Sequence, residues 1–167
     1  ALADQTVDYA TTPWACVKDN ITGLTWEVKT DDGGLHDKDW TYRWYDIRYP
    51  DPTLAPNKPP NQGQCDSGWA CLTGALANLT NKDNLCGRNN WRLPSSFELF
   101  GLMGLDSSQA EDLAYFPNPS LDVNYWTTET DANNLAYARY LSNNYVQTGK
   151  KSSAYHVRLV SDPPKSN

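Results

Sequence analysis

Apolar and polar positions alternate in short runs toward both ends of this chain and take up a helical rhythm only in its middle. Cys16-Val17-Lys18 and Leu24-Thr25-Trp26-Glu27-Val28 are alternating runs separated by Asp19-Asn20-Ile21-Thr22-Gly23, whose Asp, Asn and Gly supply turn chemistry, so a β-hairpin is predicted there. Trp40, Tyr42 and Trp44 occupy every second position and share one face of a strand over 40–45. Trp69, Leu72, Leu76 and Leu79 recur at helical spacing, which predicts an amphipathic helix over 69–81. A second helix is predicted over 96–103. Ser95 and Glu98 stand before and within it in the Ser-x-x-Glu relation of a capping box, each side chain able to accept from a backbone N–H left open at a helix start. Four alternating runs follow, over 124–128, 135–141, 145–147 and 154–160. Asp131-Ala132-Asn133-Asn134, Ser142-Asn143-Asn144 and Thr148-Gly149-Lys150 separate them as tight turns between antiparallel strands. Pro50, Pro52, Pro56, Pro59 and Pro60 exclude a regular element from 49–64, a loop that Cys65 would pin.

A hairpin, a long loop, two helices and then a strand meander define an α+β class with a mainly antiparallel sheet. At 167 residues one domain is expected, with a polar arm over 1–13, the domain over 14–161 and a tail over 162–167. Seven Trp and ten Tyr against three Phe and one Met weight the apolar content toward rings with a polar handle, which suit half-buried strands and contact surfaces.

Charge narrows the partners. A net charge of −6 and a pI near 4.7 argue against a nucleic-acid or anionic-membrane surface, which needs clustered Lys and Arg. No apolar run reaches membrane-spanning length, so no membrane insertion is expected. Ala1-Leu2-Ala3-Asp4 has no basic-plus-apolar leader pattern and reads as an already processed start. Cys16, Cys65, Cys71 and Cys86 contain no Cys-x-x-Cys pair, which removes the zinc-ribbon and thioredoxin readings and favours two disulfides in an oxidising compartment. Three pairings are open. The preferred one closes a local loop with Cys65 and Cys71 and a long one with Cys16 and Cys86, the latter constraining the unfolded chain by about 4 kcal/mol.

Candidate chemistry is sparse. Asp31, Asp32, Asp37 and Asp39 offer oxygen ligands for calcium, but without the Asp-x-Asp-x-Asp-Gly register or a following Glu they read first as a solvated loop; Asp122, Asn124 and Glu129 are a second such set. Trp40, Tyr42 and Trp44 could stack on sugars, yet alternating rings are more often a core face, and Trp91 and Trp126 are expected in the core. Arg92 and Arg158 are expected to pair with nearby carboxylates or carbonyls. The best binding surface is Asn133, Asn134, Tyr137, Arg139, Asn143, Asn144, Tyr145, Gln147, Lys150, Lys151 and Tyr155. Tyr gives rigid contact area and Asn adaptable hydrogen bonds there, against a bland reading as solvated turns and outer strand faces.

Four ordered blocks carry a resemblance. Val17 to Thr30 with its Asp19-Asn20-Ile21-Thr22-Gly23 turn, Leu85-Cys86-Gly87 to Trp91-Arg92-Leu93-Pro94-Ser95 with Glu98-Leu99, Tyr125-Trp126-Thr127-Thr128, and Val157-Arg158-Leu159-Val160 resemble the bacterial domain family typified by the C-terminal domain of the Legionella collagen-like adhesin. The resemblance covers roughly residues 14 to 160. It implies a disulfide-bonded C-type-lectin-like fold, secretion or surface display on a bacterium, and a non-catalytic adhesin-like or receptor-like module that recognises a glycan or protein. The typifying adhesin binds sulfated polysaccharides; this chain lacks collagen repeats and is acidic. Proteins of this fold also include diversified targets of bacterial retroelements, whose Asn-rich strand region Asn133-Asn134 and Asn143-Asn144 resemble. Two contrasting readings stay open. A structural subunit or decoration of a filament or pilus, homo-oligomeric in assembly, would use the arm and tail. An oxidase-like enzyme of related fold would need free thiols, and His36 and His156 stand without a nucleophile pattern beside them.

Overall fold

A computed structural model describes residues 8–46, 63–65, 71–103, 114–118, 123–143 and 145–164. The regular elements are short. In chain order they are β1 (Cys16–Lys18), β2 (Thr25–Glu27), β3 (Tyr42–Arg43), α1 (Thr73–Lys82), a 3₁₀ turn (Leu85–Gly87), β4 (Trp91–Arg92), α2 (Ser96–Met103), β5 (Tyr125–Thr130), β6 (Tyr137–Ser142), β7 (Tyr145–Lys150), β8 (Ala154–Tyr155) and β9 (Val160–Ser161). They form three sheets ordered β1-β2-β9-β4, β3-β8 and β5-β6-β7, with every strand pair antiparallel. Two helices, antiparallel sheets and two disulfides make the chain α+β and disulfide-bonded. Cys16 is bonded to Cys86 and Cys65 to Cys71, the pairing preferred on sequence.

The first hairpin forms because Asp19 organises its turn: its carboxylate accepts from Ile21 N–H at 2.8 Å and from the Thr22 hydroxyl, while Gly23 takes the left-handed conformation at φ 76°. The capping box also forms. Glu98 accepts from Ser95 N–H at 2.7 Å and Ser95 Oγ accepts from Glu98 N–H at 3.1 Å, and Glu129 of β5 accepts from Ser96 N–H and its hydroxyl, so three side chains satisfy the start of α2. At the other helix, α1 runs over Thr73–Lys82 and buries Thr73, Leu76 and Thr80; Trp69, where the spacing predicted its start, lies outside the described residues, as does the proline-rich segment over 47–62. Asn81 at its end mimics a strand, donating to Trp91 O at 3.0 Å and accepting from Trp91 N–H at 2.6 Å.

With so little ladder, indole N–H groups join the segments. Trp44 donates to Thr127 O and Trp126 donates to Tyr42 O, both at 2.7 Å, a reciprocal stitch between the β3 and β5 segments, which belong to different sheets. Trp40 donates to Gly34 O, Trp91 to Leu85 O and Trp14 to Tyr115 O. The expected core thus holds: Tyr42, Trp44, Trp91 and Trp126 are buried and Trp40 packs on them. A second cluster gathers Leu24, Trp26, Leu99, Tyr125, Leu141 and Val160, where α2 covers part of β5 and β6.

Two expected elements differ. The run over 154–160 is not one strand: Ala154–Tyr155 pairs with β3, Val160–Ser161 pairs with β2 and β4, and the segment between them crosses from sheet to sheet. Val157, Arg158, Leu159 and Val160 are buried at successive positions, a pattern of a strap enclosed on all sides, which alternation cannot describe. The turn expected at Thr148-Gly149-Lys150 lies inside β7, and the chain turns at Lys151–Ser153 instead, closed by Ser153 N–H donating to Lys150 O at 2.8 Å. Gly149 is there because a Cβ would stand 3.0 Å from the Tyr140 ring and 3.1 Å from Tyr155.

Candidate functional site

The surface proposed from sequence is built on β6 and β7, which pair without interruption from Tyr137↔Lys150 to Ser142↔Tyr145. Directly opposed residues share a face, so the candidates divide between two faces. Tyr137, Arg139 and Leu141 lie on the same side as Lys150, Thr148 and Val146; Ala138, Tyr140 and Ser142 lie with Gly149, Gln147 and Tyr145.

The second of these faces is backed by packed rings. Tyr155 lies 4.5 Å from Trp126 and 4.6 Å from Tyr140 between ring centroids, and Trp126 meets Tyr140 edge to face. Tyr140 O–H donates to Gln147 Oε1 at 3.0 Å, and burial, then the nearby Tyr155, push the Tyr140 phenol up. Tyr155 therefore works from inside as ring packing. Lys151 departs furthest from expectation: read as a surface cation, it is wholly buried, its ammonium 4.4 Å over the Trp44 ring while its backbone bonds Trp44 and Ala136. A lysine after a turn looks solvated in sequence, and only the closing of the β7–β8 turn against Trp44 takes it inside. Beyond the ring cluster, Tyr145 projects from β7 with 72 % of its surface exposed.

The first face carries the charge. Arg139 and Lys150 are exposed, stand diagonally across β6 and β7 two residues off register, and make no ion pair among the described residues; Tyr137, half-buried, is directly opposite Lys150. Leu141 on this face is covered by Leu99 of α2, which leaves the Tyr137–Arg139 end open. Asn133 and Asn134 are exposed in the β5–β6 turn at that same end, where Asn134 Oδ1 accepts from Ala136 N–H and Asn133 N–H donates to Asp131. Asn143, left-handed at φ 45°, starts the β6–β7 turn at the far end; Asn144 lies outside the described residues. Sequence reasoning missed Val146 and Thr148, which the register places beside Arg139.

The acidic loop has its own closure. Asp31, Asp37 and Asp39 each bring an oxygen within 4.8 Å of the others. Asp37 accepts from Asp32 N–H at 2.9 Å, Gly33 N–H at 2.7 Å and Asp39 N–H at 2.8 Å, and its carboxyl is held below the usual range by these bonds against the opposing effect of burial. Lys38 Nζ lies 3.2 Å from Asp31 and 2.9 Å from Asp39 and serves as an internal counter-ion. Asp32 accepts from Thr30 and Gly34. The donor set is thus a loop staple first, and a calcium ion would have to displace Lys38. In the second calcium set Glu129 is committed to the α2 start and Asp122 lies outside the described residues.

A buried charge network went unnoticed in the sequence because Glu27 and Lys29 alternate like a solvent face. Glu27 accepts from Lys29 Nζ at 2.8 Å, His36 Nδ1 at 2.7 Å and Leu159 N–H at 2.8 Å, and Arg158 donates to its carbonyl at 2.9 Å. Burial alone would raise the Glu27 carboxyl; Lys29 and His36 outweigh it and hold the group down to about 2. An ionised carboxylate only accepts, so His36 Nδ1 carries the hydrogen. Arg158 also covers the Phe116 ring at 4.7 Å. Arg92 forms the outer counterpart, bidentate to Glu98 at 2.8 and 2.9 Å and bonded to Asp162, so both arginines pair as expected.

Comparison with known families agrees with these blocks. The profile of the Lcl C-terminal domain matches residues 15–161. The chain belongs to the Lcl C-terminal domain family. No curated protein and no solved structure matches it. Within this Lcl C-terminal domain the four blocks read as a resemblance in the sequence fall on the hairpin turn, the capped α2 start, β5 and the strap over 157–160. All are structural, and the β6–β7 faces lie between them.

Proposed function

We propose that this domain is a secreted or surface-displayed, non-catalytic binding module, adhesin-like, that recognises a glycan or protein through the β6–β7 surface. The observation that carries the reading is that Arg139 and Lys150 share one face, exposed and without ion-pair partners among the described residues, on a sheet made rigid from behind by Trp126, Tyr140 and Tyr155. Exposed cations on an acidic chain, flanked by Tyr137, Asn133 and Asn134, form a surface that selects a ligand at little ordering cost. Membership of an adhesin-related family and two disulfides are consistent with an extracellular setting. All four cysteines are tied as disulfides, which supports a binding role over thiol chemistry.

The division of the candidates between two faces makes the test sharper. The domain is screened on a panel of glycans and surface proteins beside two variants, Tyr137→Ala/Arg139→Ala/Lys150→Ala and Tyr145→Ala/Gln147→Ala. Loss of binding in the first variant with an unchanged urea midpoint is the expected result. Undiminished binding in both variants would remove the β6–β7 surface from the account.

A further inference from the structure

Among the described residues the outer edge of β7 is an open pairing edge, and the hydrogen-bond phase shows which groups it offers. Lys151 N–H donates to Ala136 O at 2.9 Å, continuing the Tyr137↔Lys150 register and marking 151 and 136 as a directly bonded pair. Bonded and non-bonded pairs alternate in an antiparallel ladder. Tyr145, Gln147 and Gly149 therefore turn their N–H and C=O groups toward β6, whereas Val146, Thr148 and Lys150 turn theirs outward. The other side of β6 agrees: Asp131 N–H donates to Tyr137 O at 3.1 Å and Thr127 Oγ1 to Arg139 O at 3.0 Å, so the odd-numbered residues of β6 serve β5. Among the described residues the Lys150 carbonyl alone of these outward groups is engaged, by Ser153 N–H. The outer edge of β5, in contrast, is covered where Trp126 N–H donates to His156 O and Thr128 N–H to Pro94 O.

Edges left open in soluble proteins are usually blunted by a proline, a bulge or a charge, lysine above all. β7 has no proline and no bulge. Tyr145, Val146 and Thr148 favour extended backbone, the register of β7 with β6 is unbroken, and its one charge, Lys150, stands at the end. Charge decides the occupant. The outward positions share a face with Arg139, and Arg139 with Lys150 makes a cationic corner on a chain of net charge −6. A second copy pairing through β7 would offer this corner no carboxylate, because β7 contains neither Asp nor Glu, whereas an acidic segment would supply one.

We infer that β7 takes up an extended acidic peptide segment as an added strand, with backbone bonds to Val146, Thr148 and Lys150, a carboxylate beside Lys150 and another met by Arg139 reaching across Thr148. This mode of strand addition draws affinity from the main chain and selectivity from alternate side chains. It rests on the β6–β7 surface being the binding surface.

The probe is a blocked peptide alternating valine with aspartate, with a valine–lysine peptide as its control. Amide exchange followed by NMR is expected to show slowed exchange at Val146, Thr148 and Lys150 with the acidic peptide and no change with the basic one. Thr148→Pro removes an outward N–H that the ladder to β6 does not use, so the fold is kept and affinity is expected to fall about tenfold. Arg139→Glu/Lys150→Glu is expected to reverse the preference between the two peptides, and it tests the idea should the proline variant misfold. Unchanged exchange at Val146 and Thr148 at saturating peptide, or a concentration-dependent dimer formed through β7 in light scattering, would overturn the inference. Panel binding lost in the Tyr137/Arg139/Lys150 variant but kept in Thr148→Pro would sink strand addition and leave the binding surface standing. Panel binding kept in both would sink both.

Discussion

Replacing Glu27 by Gln tests how the strap over 157–160 is held. The side chain is fully buried and accepts three hydrogen bonds, from Lys29, His36 and the Leu159 amide. Glutamine keeps the shape but has one acceptor oxygen and two N–H donors, so one orientation aims donors at Lys29 and His36 and the other aims them at Leu159 N–H. Lys29, itself buried, would keep a charge without its counter-ion. Removing one partner of such a pair costs about 3–5 kcal/mol, a large part of the roughly 5–15 kcal/mol that stabilises a domain. Glu27→Gln should therefore lower the thermal midpoint by about 10 °C. Lys29→Met should cost a similar amount by stranding the carboxylate, and the double variant should cost less than the two together, with a coupling of at least about 1.5 kcal/mol. Urea unfolding under non-reducing conditions, followed by tryptophan fluorescence, reads all four corners of the cycle. Additive effects, within about 0.5 kcal/mol, would refute the network as the anchor of the strap.

Three further outcomes are expected. Glu27 and Glu98 are both held near 2 against an ordinary 4.5, Glu98 first by its bonds from Arg92, so the unfolded chain binds more protons between these values. Stability should be full above about 4.5 and fall steadily as pH drops toward 2, and an acid titration of the urea midpoint that stays flat through this window would contradict it. Gly149→Ala should cost about 1–3 kcal/mol by pushing on Tyr140 and Tyr155, and a neutral or stabilising effect on the urea midpoint would show that those rings yield freely. Calcium at millimolar concentration should leave the melting temperature unchanged because Lys38 already neutralises Asp31 and Asp39; an upward shift of several degrees would mean that the ion displaces the lysine.

The parts legible in sequence are those fixed by local chemistry. The Asp19 turn, the Ser95 and Glu98 box and the β5–β6–β7 meander each depend on residues a few positions apart, and the structure has them where the patterns lie. The parts that were not legible depend on what a segment meets across the fold. Lys151 became a core residue through Trp44, far away in the chain, and Glu27 became buried through Leu159 and Arg158. Gly149 carried a turn signal in sequence and a ring contact in space. The candidate surface was found as a set of residues but not as a surface, because assigning faces needs the register between β6 and β7, and that register joined Arg139 to Lys150 while separating both from Tyr145.

Chemical-shift mapping with whichever ligand of the glycan and protein panel binds is the most direct test of the β6–β7 surface. The account predicts perturbed amides at Tyr137, Arg139, Thr148 and Lys150, on the face that carries the two exposed cations. Perturbations confined to the Asp19–Gly23 turn, the acidic loop over 31–39 or α1, with β6 and β7 silent, would contradict it.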